Sequence, residues 1–238
     1  MESWEDEAVV LAARPHGEGH ALADVLTRAH GHWRGHVRGG ASRSGRAIWQ
    51  PGNRLALRWT ARLSDQLGQF AGELVDAAAG RALGEPAALA LLASACAVAE
   101  GALPEREPHP LSFAGLAALL ERIGEGEALA PDYVRWEVAL LAELGYGLDL
   151  SACAVTGVVE DLAFVSPRTG RAVSREAARP WQDRLLPLPP FLLGNAAVRE
   201  GDIAAGLRLT AHFLARDVFG LRHLPLPPAR LRLADRFG

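Results

Sequence analysis

Residues 133–177 read YVRWEVALLAELGYGLDLSACAVTGVVEDLAFVSPRTGRAVSREA, and their pattern changes twice. Tyr133, Trp136, Leu140, Leu141 and Leu144 recur at helical spacing while Arg135 and Glu143 fall opposite, so the stretch opens as an amphipathic helix. Gly145 and Gly147 end it, because the residue just past a last turn commonly takes a left-handed conformation open to glycine. Two short strands follow, Leu162–Val165 and Arg171–Val173, with Ser166-Pro167 and Thr169-Gly170 as turns between them.

The second half of the stretch has the layout of a small zinc ribbon. Such a ribbon spaces two C-x2-C knuckles roughly 15–20 residues apart, each knuckle offering two thiolates to one tetrahedral ion. Here the four positions are Cys153, Thr156, Ser174 and Ala177, with 17 residues between the pairs. One thiolate cannot hold a structural zinc. The expectation is a ribbon-like insert, residues 150–178, that keeps the frame without the metal, packed through Val155, Val158, Leu162, Phe164, Val165 and Val173. Neither a metal nor another cofactor is expected.

Working outward, the 238 residues are 49% hydrophobic and 22% charged, and no run of 18 apolar residues occurs. That composition fits a globular chain with no membrane span. Two cysteines 57 positions apart and an acidic N-terminal stretch point to a reducing, cytoplasmic setting. Charge is uneven. Residues 1–80 carry nine arginines against nine acids, residues 81–150 four against eleven, and residues 151–238 twelve against eight. There is no lysine, so a GxxxxGK[ST] phosphate loop is excluded.

The first eighty residues read as β structure: Ala8–Ala13, Ala21–Arg28, His32–Arg38, Asn53–Arg62 and Leu67–Val75. Leu55, Leu57 and Trp59 alternate with Arg54, Arg58 and Thr60, the pattern of a strand with one buried face. Residues 39–46 read as a flexible basic loop. Five short strands in this span point to an OB-type barrel, residues 1–78. Residues 79–238 then read as a helical domain, with helices at Pro86–Gly101, Leu111–Ile123, Pro131–Leu144 and Asp202–Phe219 and a fraying tail from Pro225. The fold class expected is α+β.

Residues 28–62 hold the densest chemical signal. Arg28, Arg34, Arg38, Arg43, Arg46, Arg54, Arg58 and Arg62 occur with no Asp or Glu, interleaved with His30, His32, His36, Trp33, Trp49 and Trp59. Cations displace counterions from phosphates and flat rings stack on unpaired bases, so the window points to nucleic acid. Arg34, Arg38, Arg43, Arg46, Arg54, Arg58 and Trp33 are the expected DNA contacts, and Trp59 belongs to the core. The bland alternative is a solvated sheet face. His16-Gly17-Glu18 matches half of a zinc deaminase signature, but P-C-x-x-C, HExxH and GxSxG are all absent, so no enzyme is expected. Glu105-Arg106-Glu107 reads as an exposed loop.

Taken together, the chain resembles the bacterial DNA repair protein RecO family of recombination mediators. The resemblance rests on Val9-Val10-Leu11, Val37-Arg38-Gly39-Gly40-Ala41 and Gln50-Pro51-Gly52. It is most specific at Arg135-Trp136-Glu137, Leu144-Gly145-Tyr146-Gly147-Leu148, Cys153 and Phe164-Val165-Ser166-Pro167. It implies an N-terminal OB domain, a helical domain and, in many members, a zinc ribbon. It also implies binding of single- and double-stranded DNA, annealing without ATP, and loading of recombinase onto coated single strands. The implied protein partners are RecR and the acidic C-terminal tail of the single-stranded-DNA-binding protein. For that tail Arg135 is the candidate contact, with pairing to Asp132 as the alternative. An interaction scaffold with an OB barrel and no direct DNA role is the competing functional reading.

Overall fold

Five strands, β1 (Glu2–Pro15), β2 (Ala21–Thr27), β3 (Gly31–Val37), β4 (Arg54–Ala61) and β5 (Gln69–Asp76), close into a barrel in the order β1-β2-β3-β5-β4. Every neighbouring pair is antiparallel except β3 with β5, which meet in parallel at His36 opposite Gln69 and Val37 opposite Phe70. This OB-like sheet belongs to a computed structural model describing residues 2–194 and 196–238.

β1 starts six residues before the expected strand. Its acidic first half is drawn into the sheet by β4, whose register sets Trp59 opposite Trp4 and Arg58 opposite Glu5. From Ala8 onward it pairs with β2, across a bulge between Val10 and Ala12, so one bent strand serves both neighbours. On β4, Leu55, Leu57 and Trp59 are buried and Ala56 and Arg58 exposed, as alternation requires. With Val10, Val25, Trp33, Trp49 and Phe70 they fill the barrel. The basic loop after β3 is partly helical. Ser42 accepts a hydrogen bond from the Gly45 amide and caps α1 (Arg43–Ile48).

Three helices, α2 (Ala78–Ala82), α3 (Pro86–Ala102) and α4 (Pro110–Glu121), and a 3-10 segment (Ile123–Leu129) complete the first unit, Met1–Leu129. Proline stands at the start of α3 and of α4, where its missing N–H costs nothing. The Cys96 thiol on α3 faces the Val10 carbonyl of β1 at 3.8 Å. Compactness therefore groups residues 78–129 with the barrel, whereas composition divides the chain after residue 78.

The second unit, Ala130–Gly238, is built on α5 (Ala130–Glu143), which Gly145 ends at φ +87°. β6 (Leu162–Val165), β7 (Ala172–Ser174) and β8 (Leu186–Pro187) form a sheet in the order β7-β6-β8, and α6 (Arg175–Ala178) follows β7 directly. In the turn that follows Cys153, its amide donates to Val158 O at 2.8 Å and the Gly157 amide to Cys153 O at 2.9 Å. Leu162, Phe164, Val165 and Val173 are buried as expected, but Val155 and Val158, in the turn before β6 rather than on a strand, are exposed.

α7 (Asp202–Phe213) runs on as a π-helical turn (Leu214–Phe219). The tail does not fray. Residues Pro228–Phe237 form α8, and Arg230 is fully buried against Glu137 of α5 at 2.6 Å. Composition hides this, since a lone arginine in a basic tail looks solvated. Among the described residues, no helix is long and apolar enough to cross a membrane.

Candidate nucleic-acid interface

The acid-free window of the sequence is not acid-free in space, because strand pairing imports carboxylates from elsewhere. Arg28 pairs with Glu7, and Arg54 meets the same carboxylate at 3.3 Å. Arg58 meets Glu5 at 3.0 Å. Arg34 donates to Asp24 at 2.8 Å and lies 3.7 Å from Glu105. Asp24 is wholly buried and also receives Arg14 at 2.7 Å and His32 at 3.3 Å. Burial alone would raise its pKa, but the His32 hydrogen bond and the Arg34 charge together hold it below the usual carboxylate range. Arg34 and Arg54 are thus committed within the barrel wall.

Arg38, Arg43, Arg46 and Arg62 are different. All four are exposed, and among the described residues none has an ion-pair partner. Arg38 lies just past β3, Arg43 and Arg46 on α1, and Arg62 just past β4, so the fold gathers them toward one side of the barrel. Of the four, Arg38 edges a groove of about 510 Å³, with Ser42, Ser44, Arg58, Thr60 and Gln69. Thr60 and Gln69 also edge a neighbouring hollow that contains His36, Arg62 and Gln66. Arg46 borders a third, beside Pro15 and Gln50. Uncompensated guanidinium groups around a concave surface favour polyanions and make their binding sensitive to salt.

Trp33 is not available for base stacking. Its side chain is 9% exposed, its indole N–H donates to His30 O at 2.7 Å, and Trp4 and Trp59 pack against it edge-on. The Arg106 guanidinium covers it at 4.5 Å. The pleat explains the correction: Trp33 points inward with the other odd-numbered positions of β3. Trp49 and Phe70 stack at 6.1 Å beneath the groove and are also buried. Rings that do reach the surface nearby include His16 and His36, 5.1 Å apart, and His20, which accepts from the Gly39 amide.

Arg106 is the residue that sequence reading missed. Flanked by Glu105 and Glu107, it gives no signal beyond that of an exposed loop. Its guanidinium donates to three carbonyls of the β4–β5 loop, Ser64 at 2.9 Å, Asp65 at 3.1 Å and Gln66 at 3.2 Å.

In the second unit, Arg135 donates to Asp132 at 2.8 Å and to Phe191 O at 3.2 Å, with its charge 5.3 Å above the Phe191 ring. The intrahelical pair with Asp132 is therefore present, on a side chain still 40% exposed. Cys153 Sγ accepts from the Ser174 amide at 3.3 Å, which brings the loop after α5 against the end of β7. Burial would raise that thiol's pKa, yet hydrogen bonds from Ser174 and Thr156 bring it down to about 6. No group of three or more His, Cys, Asp or Glu among the described residues is arranged to hold a metal ion. His30 and His32 are instead engaged with Asp6 and Asp24.

Comparison with known proteins agrees across nearly the whole chain. The family described as Recombination protein O N terminal matches residues 1–78, and Recombination protein O C terminal matches residues 83–225. The DNA repair protein RecO of Granulibacter bethesdensis is 56% identical over 236 residues, covering 98% of this chain and 94% of its own. That of Acidiphilium cryptum is 57% identical over 237 residues, with the same coverage. That of Phenylobacterium zucineum is 54% identical over 234 residues, covering 98% and 96%.

Proposed function

The chain belongs to the RecO family of DNA repair proteins, and on that premise we propose that it is a DNA-binding recombination mediator without catalytic chemistry. In this reading it anneals complementary strands without ATP and helps recombinase onto single strands coated by the single-stranded-DNA-binding protein. The observation that carries the DNA contact is the set of exposed arginines without ion-pair partners on an OB-like barrel: Arg38 edges the groove, Arg62 and Arg46 each edge a hollow of their own, and Arg43 shares α1 with Arg46. Arg58 joins them across the groove, although it also pairs with Glu5.

The protein partners in this reading are RecR and the acidic tail of the single-stranded-DNA-binding protein. Arg135 supports the second. A carboxylate of the incoming tail would replace Asp132, and an apolar end would lie against the surface beside Phe191 and Leu193. The insert 150–178 is read as a ribbon frame whose knuckles are held by hydrogen bonds in place of a metal.

The test is annealing of complementary strands coated with single-stranded-DNA-binding protein, with no nucleotide present, beside a salt titration of binding to the bare strand. Annealing by the wild type, lost on replacing Arg38, Arg43 and Arg46 by Ala, supports the reading. Salt-insensitive binding, or none, would leave the interaction scaffold as the better account.

A further inference from the structure

The β4–β5 loop, residues 62–68, contributes Arg62, Gln66 and Gly68 to the hollow beside His36, Thr60 and Gln69. A loop seven residues long on a barrel rim is ordinarily among the more mobile parts of a fold. Here it is fastened at three places, one of them at its end, where the His36 amide donates to Gly68 O at 3.1 Å. The Trp59 indole N–H donates to Leu67 O at 3.0 Å. Arg106, reaching in from the segment between α3 and α4, donates to Ser64 O, Asp65 O and Gln66 O.

Arg106 is itself held in place. Its amide donates to His32 O at 2.8 Å, and its guanidinium carbon stands 4.5 Å from the centre of the Trp33 ring. Its backbone sits at φ +62°, a left-handed conformation that costs a non-glycine residue roughly 1 kcal/mol or more and persists only where surroundings impose it. Gly31 makes the approach possible: a Cβ there would stand 1.9 Å from Glu107 O, so only glycine lets this segment reach the barrel. A planar guanidinium with five N–H donors spans three convergent carbonyls; an ammonium has three donors from one point and no flat face to lay on an indole.

We propose that Arg106 is a positioning residue for single-strand binding: it holds the β4–β5 loop so that Arg62 and Gln66 face an incoming unpaired strand. This rests on the DNA-binding reading above, and it assigns to Arg106 no contact with DNA. The arginine acts through the loop.

The experiment uses the full chain with Arg106→Ala, Arg106→Lys, Arg62→Ala and the Arg62→Ala/Arg106→Ala double variant. Hydrogen exchange over 62–68 is measured without DNA, and anisotropy of a labelled oligothymidine with increasing salt. Faster exchange confined to 62–68, and affinity lowered about fivefold by Arg106→Ala, are expected, with Arg106→Lys only partly restoring either. In the Arg62→Ala background, Arg106→Ala should cost much less than alone, because the two act through one loop. Full additivity, with a further change in salt slope in the double variant, would overturn the proposal in favour of direct phosphate contact. Unchanged exchange over 62–68 would overturn it whatever the DNA result. If the wild type binds no oligothymidine while the exchange effect is present, the loop assignment stands and the DNA-binding reading fails. Should Arg106→Ala lose its cooperative melt, Arg106→Lys, which keeps the charge and the alkyl stem, decides by the same exchange readout.

Discussion

Arg230 of α8 donates through Nε to Glu137 of α5 at 2.6 Å, 93 residues away in sequence, and both side chains are fully buried. A second bond runs from Nη2 at 3.0 Å, and the same nitrogen donates to Leu207 O at 2.8 Å. The Tyr133 hydroxyl donates to Glu137 at 2.7 Å, and Thr210 supplies another donor. Removing one partner of such a pair strands an uncompensated charge, which costs about 3–5 kcal/mol. Arg230→Ala should therefore lower unfolding free energy by that amount in urea titrations. Ending the chain after Pro227 should cost at least as much, since it deletes the whole helix. A paired Glu137→Leu/Arg230→Met variant should recover most of the loss. A full-length tail that can be removed without a change in midpoint would contradict the docking.

The arginines of residues 28–62 should separate into two classes. Replacing Arg38, Arg43 or Arg46 by Ala should each reduce the log–log salt slope for single strands by about 0.7 and leave the melting temperature near its starting value. Replacing Arg34 or Arg54 should do the reverse, because their charges already answer Asp24 and Glu7. Arg34→Ala should be the more damaging to stability, since it weakens the neutralisation of a buried carboxylate. Equal slope changes across all five would mean that the ion pairs open when DNA binds.

For the acidic tail, Asp132 is a built-in competitor for Arg135. Arg135→Ala should weaken binding of a tail peptide about tenfold, the scale of one charge-assisted contact. Asp132→Ala should strengthen it, and neither should alter binding to bare DNA. Calorimetric titration with the peptide reads both. A fall in affinity with Asp132→Ala would place the tail elsewhere.

Cys153 supplies a prediction in pH and in metal. Its thiol is brought down from 9.0 to about 6, by hydrogen bonds from Ser174 and Thr156 that outweigh burial. A depressed folded pKa stabilises the fold above the unfolded value and loses that contribution as pH falls through the folded one. The stability gap between wild type and Cys153→Ser should therefore be widest above about pH 9 and shrink between 9 and 6. Thiolate absorbance of the folded protein should titrate in two steps, with Cys96, buried and pushed up to about 12, ionising last. Chelators should leave the melting temperature unchanged, and elemental analysis should find no bound zinc. One zinc per chain would defeat this account.

Patterns local to a few residues were legible in the sequence alone. Alternation on Leu55, Leu57 and Trp59 gave strand β4 and its buried face, the helical recurrence at Tyr133, Trp136 and Leu140 gave α5, and Gly145 gave its end. These depend on backbone periodicity and turn chemistry, which act within a few positions. Cys153 and Ser174, set apart in sequence, meet through the hydrogen bond from the Ser174 amide to Cys153 Sγ. What only the tertiary structure decided is pairing between distant segments. The acidic start of β1 became a strand because β4 lies beside it, and in doing so supplied Glu5 and Glu7 to arginines that look unopposed in sequence. Trp33 turned from a candidate stacking ring into core, Arg106 from loop filler into the clasp of the β4–β5 loop, and Arg230 from a fraying tail into a buried charge. A charged or aromatic side chain has no fixed role of its own: its neighbours decide whether it is solvated, neutralised or buried, and those neighbours are chosen by register and packing over tens of residues.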